Sequence, residues 1–329
     1  MSTTEPSATK AADPAAKRKS KFGFDRFSGL YVWALLIIIF AILIPELFIS
    51  VQTPRIVVSN ESITAILALG LLLPIAAGVF DLSIVGTLSV AAGVAVWFQT
   101  NDLPWQAGVI AAVAVGALIG AANGFVIVNL KVDSFIGTLG MSSILVAGSY
   151  WVTGGKQVVQ GISPDFVAFA QSKLFTLPMT VFYALIIAMV LYYFLQYRPV
   201  GRQIYAVGGN PVAARLSGIN TARITRGTLV ASGVLAAFAG TLLAARLGNA
   251  TPDMGAPYLL PAFSAVFLGA TQIRPGRVNV LGTLVAILLL ATGVKGLQLL
   301  GAPAFITPLF NGVALIAAVA LAVRESNRK

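Results

Sequence analysis

Residues 60–100 read NESITAILALGLLLPIAAGVFDLSIVGTLSVAAGVAVWFQT, two apolar runs (60–79 and 83–100) that meet at one carboxylate, Asp81. Each run is close to the ~20 residues a helix needs to cross a bilayer, because about 1.5 Å of rise per residue must cover roughly 30 Å. Hydrocarbon offers no water to backbone N–H and C=O groups, so such runs close their hydrogen bonds internally as helices. Working outward, the same reading gives ten spans: 30–50, 60–79, 83–100, 105–129, 134–152, 177–195, 228–247, 258–273, 279–299 and 305–323. The expected fold is an all-α polytopic membrane protein. A disordered basic tail at 1–29 precedes a membrane domain at 30–323, and a short tail occupies 324–329. The run from Leu30 is longer than a signal-peptide core and lacks a small-x-small cleavage site, so it reads as a retained first span. The eighth span is short and carries Pro261 near its start, which predicts a tilt or a break.

Composition agrees. Of 329 residues 57% are hydrophobic and 10% charged, with a mean hydropathy of +0.89, against about 25% charged in soluble domains. A pI near 10.1 raises the question of nucleic acid. The basic residues, however, sit between apolar runs, as the positive-inside rule requires, and no nucleic-acid partner is expected. With ten spans and a cytoplasmic amino terminus, the inner side holds the six Lys/Arg of the tail, Lys131, five in 198–226, Arg274, Arg277 and three at the carboxyl end. Only Arg55, Lys156, Lys173, Arg246 and Lys295 remain outside or near that edge. Removing any one span scrambles this asymmetry, so both termini are expected in the cytoplasm.

The chain has no Cys and no His. Disulfides, thiolate or imidazole metal sites and serine–histidine catalysis are thereby excluded within it, and no metal or cofactor is expected to bind. Gly154-Gly155-Lys156-Gln157 lacks the earlier glycine and the following Ser/Thr of a phosphate loop, so no ATPase motif is read here.

Three features stand out along the spans. Gly116, Gly120 and Gly124 form a small-residue stripe on the fourth span; it suits close packing inside the bundle, with a contact to a second copy as the alternative. Asp81 sits in Gly-Val-Phe-Asp-Leu-Ser, where a carboxylate is costly at membrane depth. It reads either as a ligand-pathway or helix-break residue, or as a cap in which Asp81 or Ser83 accepts freed backbone N–H bonds. Lys295, near the outer end of its span, can reach the interface. The polar loop at 196–227 holds the third feature. There Asn210 can cap a helix opening at Pro211, and Gly218 ends it two turns later. A short capped helix on the basic face suits docking of a partner, or lying on anionic lipid.

These stretches resemble a known family, the permease subunits of ribose-type ATP-binding-cassette importers, within a wider group that also serves nucleosides and branched-chain amino acids. The resemblance runs from about residue 60 to 323. It rests on Phe80-Asp81-Leu82-Ser83; on Asn123-Gly124 followed by Ser134-Phe135-Ile136-Gly137-Thr138-Leu139-Gly140-Met141; on Gly208-Gly209-Asn210-Pro211 with Ala213-Ala214-Arg215-Leu216-Ser217-Gly218-Ile219; and on Val266 to Gly301. Val212 stands where the family usually has an acidic residue, and Lys295 where it has asparagine.

The resemblance implies a ten-span importer permease with no covalent chemistry of its own. ATP would be used by a separate ATPase docked at Gly208–Gly218, an extracytoplasmic solute-binding protein would deliver the solute, and a second permease copy or close relative would complete the path. Asp81, Ser83, Asn123 and Phe135 would line that path. A monosaccharide or polyol is the favoured solute, a nucleoside or branched-chain amino acid the alternative. An ion-coupled secondary transporter is the competing class; such proteins carry several embedded carboxylates, and here Asp81 reads as nearly alone.

Overall fold

A computed structural model describes residues 24–274 and 276–326. The expected tail at 1–29 lies outside these residues except for its last six, which open the first helix, and the last three residues of the chain also lie outside. The element order is α1 (Phe24–Leu43), α2 (Pro45–Phe48), α3 (Gln52–Ala76), α4 (Ile84–Thr100), α5 (Trp105–Val128), α6 (Ser134–Thr153) and α7 (Pro164–Gln171). A two-residue hairpin follows, β1 (Lys173–Leu174) with β2 (Leu177–Pro178). Then come α8 (Met179–Tyr197), α9 (Pro199–Gly209), α10 (Pro211–Leu216), α11 (Thr221–Leu247), a 3-10 turn at Ala256–Tyr258, α12 (Leu259–Ala270), α13 (Val280–Leu299) and α14 (Ile306–Ser326).

Among the described residues ten apolar helices fall on the ten expected spans. Six of them, α3, α5, α6, α8, α11 and α13, are long and apolar enough to cross a membrane; α1, α4, α12 and α14 carry shorter apolar stretches. The first span ends early because Pro45 cannot continue the helix and Ile44 leaves the helical region (φ −140°, ψ 59°). The eighth is shorter than expected. At 12 residues α12 covers only about 18 Å, and the 3-10 turn carries the chain into it.

Two long helices, α3 and α11, are apolar nearly all round and form the centre of the bundle. The stripe Gly116, Gly120 and Gly124 of α5 lies against α11 within this bundle. A Cβ on Gly116 would collide with the Gly233 and Ala237 positions, one on Gly120 with the Leu229 carbonyl, and one on Gly124 would press on Arg226. Backbones this close replace side-chain interlock with direct van der Waals contact. At the other extreme α6 leaves Phe135, Ile136, Leu139, Ile144 and Trp151 exposed, a face for lipid or another chain. The connection at 153–176 folds over the bundle as α7, capped by Ser163 and anchored by fully buried Phe166 and Ala170, with Phe166 against Trp105.

Candidate functional site

The break between α3 and α4 is built by its own sequence. Pro74 offers no N–H to the last turn of α3, and Gly78 takes a left-handed conformation (φ +82°) open to glycine at no steric cost, so the chain turns out of the helix. The freed backbone groups find partners. Val79 N–H donates to the Pro74 carbonyl (3.0 Å), Phe80 N–H to the Ser134 hydroxyl (3.2 Å), and Leu82 N–H to the Thr138 hydroxyl (3.0 Å). Irregular backbone at membrane depth is tolerated only when satisfied in this way.

Asp81 closes the break. Its Oδ1 accepts from the Ser83 N–H (3.2 Å) and the Ser83 hydroxyl (2.6 Å), and its Oδ2 from the Ser232 hydroxyl of α11 (2.8 Å). Asn123 of α5 donates to the Ser83 hydroxyl at 2.7 Å. One carboxylate thus ties the start of α4 to α5 and α11, and Asp81, Ser83, Asn123 and Ser232 are each at most 2% exposed. Of the four residues expected to line a path, Asp81, Ser83 and Asn123 come together in a buried network that occupies both carboxylate oxygens of Asp81 but leaves the buried Asn123 Oδ1 without a partner. Phe135 lies apart from it, half exposed on α6. The two readings of Asp81, break residue and acceptor of a freed N–H, describe the same geometry. Sequence reasoning missed Ser232, one hydroxyl in an Ala- and Gly-rich helix. It also gave no weight to the hydroxyls of Ser134 and Thr138, which their one-turn spacing at the start of α6 pairs.

Beneath the break lie α9 and α10. Asn210, in extended conformation, accepts the Ala213 N–H on its Oδ1 (2.9 Å); Pro211 opens α10, and Gly218 (φ +82°) ends it. Ala214 is buried, while Val212 and Leu216 are 68% and 84% exposed with Arg215 between them. Ser217 returns its hydroxyl to the Ala213 carbonyl (3.0 Å). Gly209 has open space beside it, whereas a Cβ on Gly208 would collide with the Ala76 carbonyl at the end of α3. A second attachment holds α9: the Tyr205 hydroxyl donates to the Val278 carbonyl (3.0 Å), and the Arg277 guanidinium stacks over the Tyr205 ring at 3.3 Å. Burial pushes the Tyr205 phenol above its ordinary value, with Arg277 acting the other way. The α9–α10 pair is therefore fastened both to the α3 break and to the loop between α12 and α13.

At the opposite end of α3, three of the five basic residues expected on the outer side converge. Arg55, Lys173 and Arg246 line a cleft of about 690 Å³. Arg246 is held there by the Ser59 carbonyl (2.7 Å) and Asn60 Oδ1 (2.6 Å). Nearby Glu61 corrects the expectation that Asp81 is nearly alone. It lies in the third turn of α3, beside Thr64, and lines a separate cavity.

A model of the family described as "branched-chain amino acid transport system / permease component" matches residues 56–319. The chain belongs to this permease family. Over 304 residues, 92% of this permease and 93% of the relative, it is 33% identical to the ribose import permease protein of Escherichia coli strain K12. It is 30% identical to the D-allose transport system permease protein of the same strain, covering 93% of this chain and 95% of the relative. To the galactose/methyl galactoside import permease protein of that strain it is also 30% identical, covering 96% and 99%. No solved structure matches the chain. The matched region spans the α3 break, the α9–α10 pair and all the later helices, so the permease is a multi-pass membrane protein over the whole of its described core.

Proposed function

We propose that this permease is the membrane subunit of an ATP-binding-cassette importer that carries a monosaccharide or polyol into a prokaryotic cell, with both termini in the cytoplasm. The observation that carries the reading is the seating of α9–α10. The exposed edge of α10, Val212, Arg215 and Leu216, is a surface for an ATPase subunit. Behind it, the close approach of Gly208 to Ala76 and the Tyr205–Val278 hydrogen bond connect α9 to the α3 break and to the α12–α13 loop, the route by which a displacement would be passed on. The chain then needs no cofactor and hydrolyses no ATP; the ATPase does, and its closure moves the docked helix. Asp81, Ser83 and Asn123 hold the break closed in the arrangement seen here, and the solute path opens when that network is pulled apart. Phe135, on the exposed face of α6, meets the path from the side of a second permease copy. On the outer face the Arg55, Lys173 and Arg246 cleft suits acidic side chains of a solute-binding protein.

The sugar assignment comes from relatives named for ribose, allose and galactose. The family description itself names branched-chain amino acids, which keeps these as the second reading. Uptake in proteoliposomes tests both. With ATPase and binding protein assembled, internal ATP should drive accumulation of D-ribose, D-allose or D-galactose. Accumulation driven by a proton or sodium gradient alone would overturn the importer reading, and transport of leucine but no sugar would overturn the solute.

A further inference from the structure

A cavity of about 240 Å³ lies between α3, the start of α12, α13 and α14. Six polar side chains face it: Asn60, Glu61, Thr64, Tyr258, Thr307 and Asn311. Some are engaged, since Asn60 Oδ1 accepts from Arg246 and the Thr307 hydroxyl accepts from Gln298 at 3.3 Å. Two are not. Among the described residues neither the Asn311 carboxamide nor the Tyr258 phenol has a hydrogen-bond partner, although Asn311 is only 7% exposed. The Asn311 amide is not sealed inside the protein; what little of it is accessible opens on this cavity, where a bound molecule can supply the hydrogen bonds the protein does not.

We infer that this cavity is a binding site for a neutral polyhydroxylated molecule the size of one sugar ring, separate from the Asp81 network. The inference rests on the importer reading and gives it a site inside the permease. A carboxylate accepts hydrogen bonds from two neighbouring hydroxyls, a carboxamide both donates and accepts, and a phenol does either. Ile287 and Leu290 of α13 supply an apolar wall for the C–H face of a ring. An anionic solute is disfavoured by Glu61. A bare hard cation requires six or more oxygens at coordination distance, which a cavity with an apolar wall does not provide. In the proposed orientation Glu61, Thr307 and Asn311 all sit toward the outer ends of their helices, so the site lies where a binding protein would release its solute.

Binding of tritiated D-ribose, D-allose and D-galactose to the full-length permease in lipid nanodiscs, without ATPase or binding protein, tests this. At least one sugar should bind saturably. Asn311→Leu and Glu61→Gln should each weaken that binding by about tenfold or more, the loss expected for a hydrogen bond to a charged or buried group. Tyr258→Phe, the mildest change, guards against misfolding and should weaken it by a smaller factor at an unchanged melting temperature. Uptake by the assembled importer separates the two claims. Wild-type sugar uptake with no sugar binding by the permease, or with binding that none of the three substitutions alters, overturns the site and leaves the importer reading standing. Absence of uptake of all three sugars by the assembled wild type overturns the importer reading. Sodium binding abolished by Glu61→Gln, with no sugar binding, makes the cavity an ion site and overturns the inference.

Discussion

Glu61 lies in the third turn of α3 and Asp81 in the break beyond its other end, and the protein treats the two carboxylates differently. Both oxygens of Asp81 are taken by hydroxyl and backbone donors from its own turn and from α11, and the group is sealed from solvent. Glu61 has Thr64 beside it and a cavity in front of it, with an amide and a phenol on the far side that no described residue satisfies. Carboxylates are expensive inside a membrane, so each must be retained for a reason. A closed set of partners identifies a fastening, and an open set identifies a place for a ligand.

Substitutions can break this contrast. The largest effect is expected at Asp81. Asp81→Ala leaves the Ser83 and Ser232 hydroxyls and the Ser83 N–H without their acceptor, and should destabilise the permease by about 3 kcal/mol or more, read as a lowered melting temperature or loss of folded protein. Next is Gly208→Leu, whose side chain must enter the space of the Ala76 carbonyl. Overpacking of this kind costs about 1–3 kcal/mol, and here it should also reduce ATP-driven uptake by more than the lost stability explains. Asn210→Ala removes the cap of α10 at about 1 kcal/mol. It should weaken ATPase co-purification while leaving the membrane core unchanged by proteolysis. Glu61→Gln should have the smallest effect on stability, under about 1 kcal/mol, because it removes no closed network. If Glu61→Gln unfolds the protein and Asp81→Ala does not, the contrast is reversed.

Much of the fold is legible in the amino-acid sequence alone. Ten apolar runs and a one-sided charge distribution predict ten helices because the bilayer leaves the backbone few alternatives, and α1, α3–α6, α8 and α11–α14 lie on those runs. The short helix α10 is legible because Asn210, Pro211 and Gly218 act locally. Less legible is whatever depends on the facing helix. Ser232 becomes a partner of Asp81 only through the packing of α11 beside the break, and nothing in its neighbours marks it. Asn123 reads as a path residue yet donates to Ser83 inside the buried Asp81 network, since sequence shows a polar group in a span but not which way it faces. Glu61, flanked by Asn60 and Ser62, reads as the polar end of a span; only the approach of Tyr258 and Asn311 makes it part of a cavity. The basic cleft likewise gathers Arg55, Lys173 and Arg246 from three separated segments.

The central claim is that α10 faces the cytoplasm and receives the ATPase. Because the chain contains no cysteine, Leu216→Cys places one thiol on the exposed edge of α10 without disturbing a buried contact. Labelling that thiol with a membrane-impermeant maleimide in oriented vesicles is the most direct test. Reaction is expected from the cytoplasmic side only, with protection once the ATPase is bound; reaction from the outer side, or labelling indifferent to the ATPase, would contradict the claim.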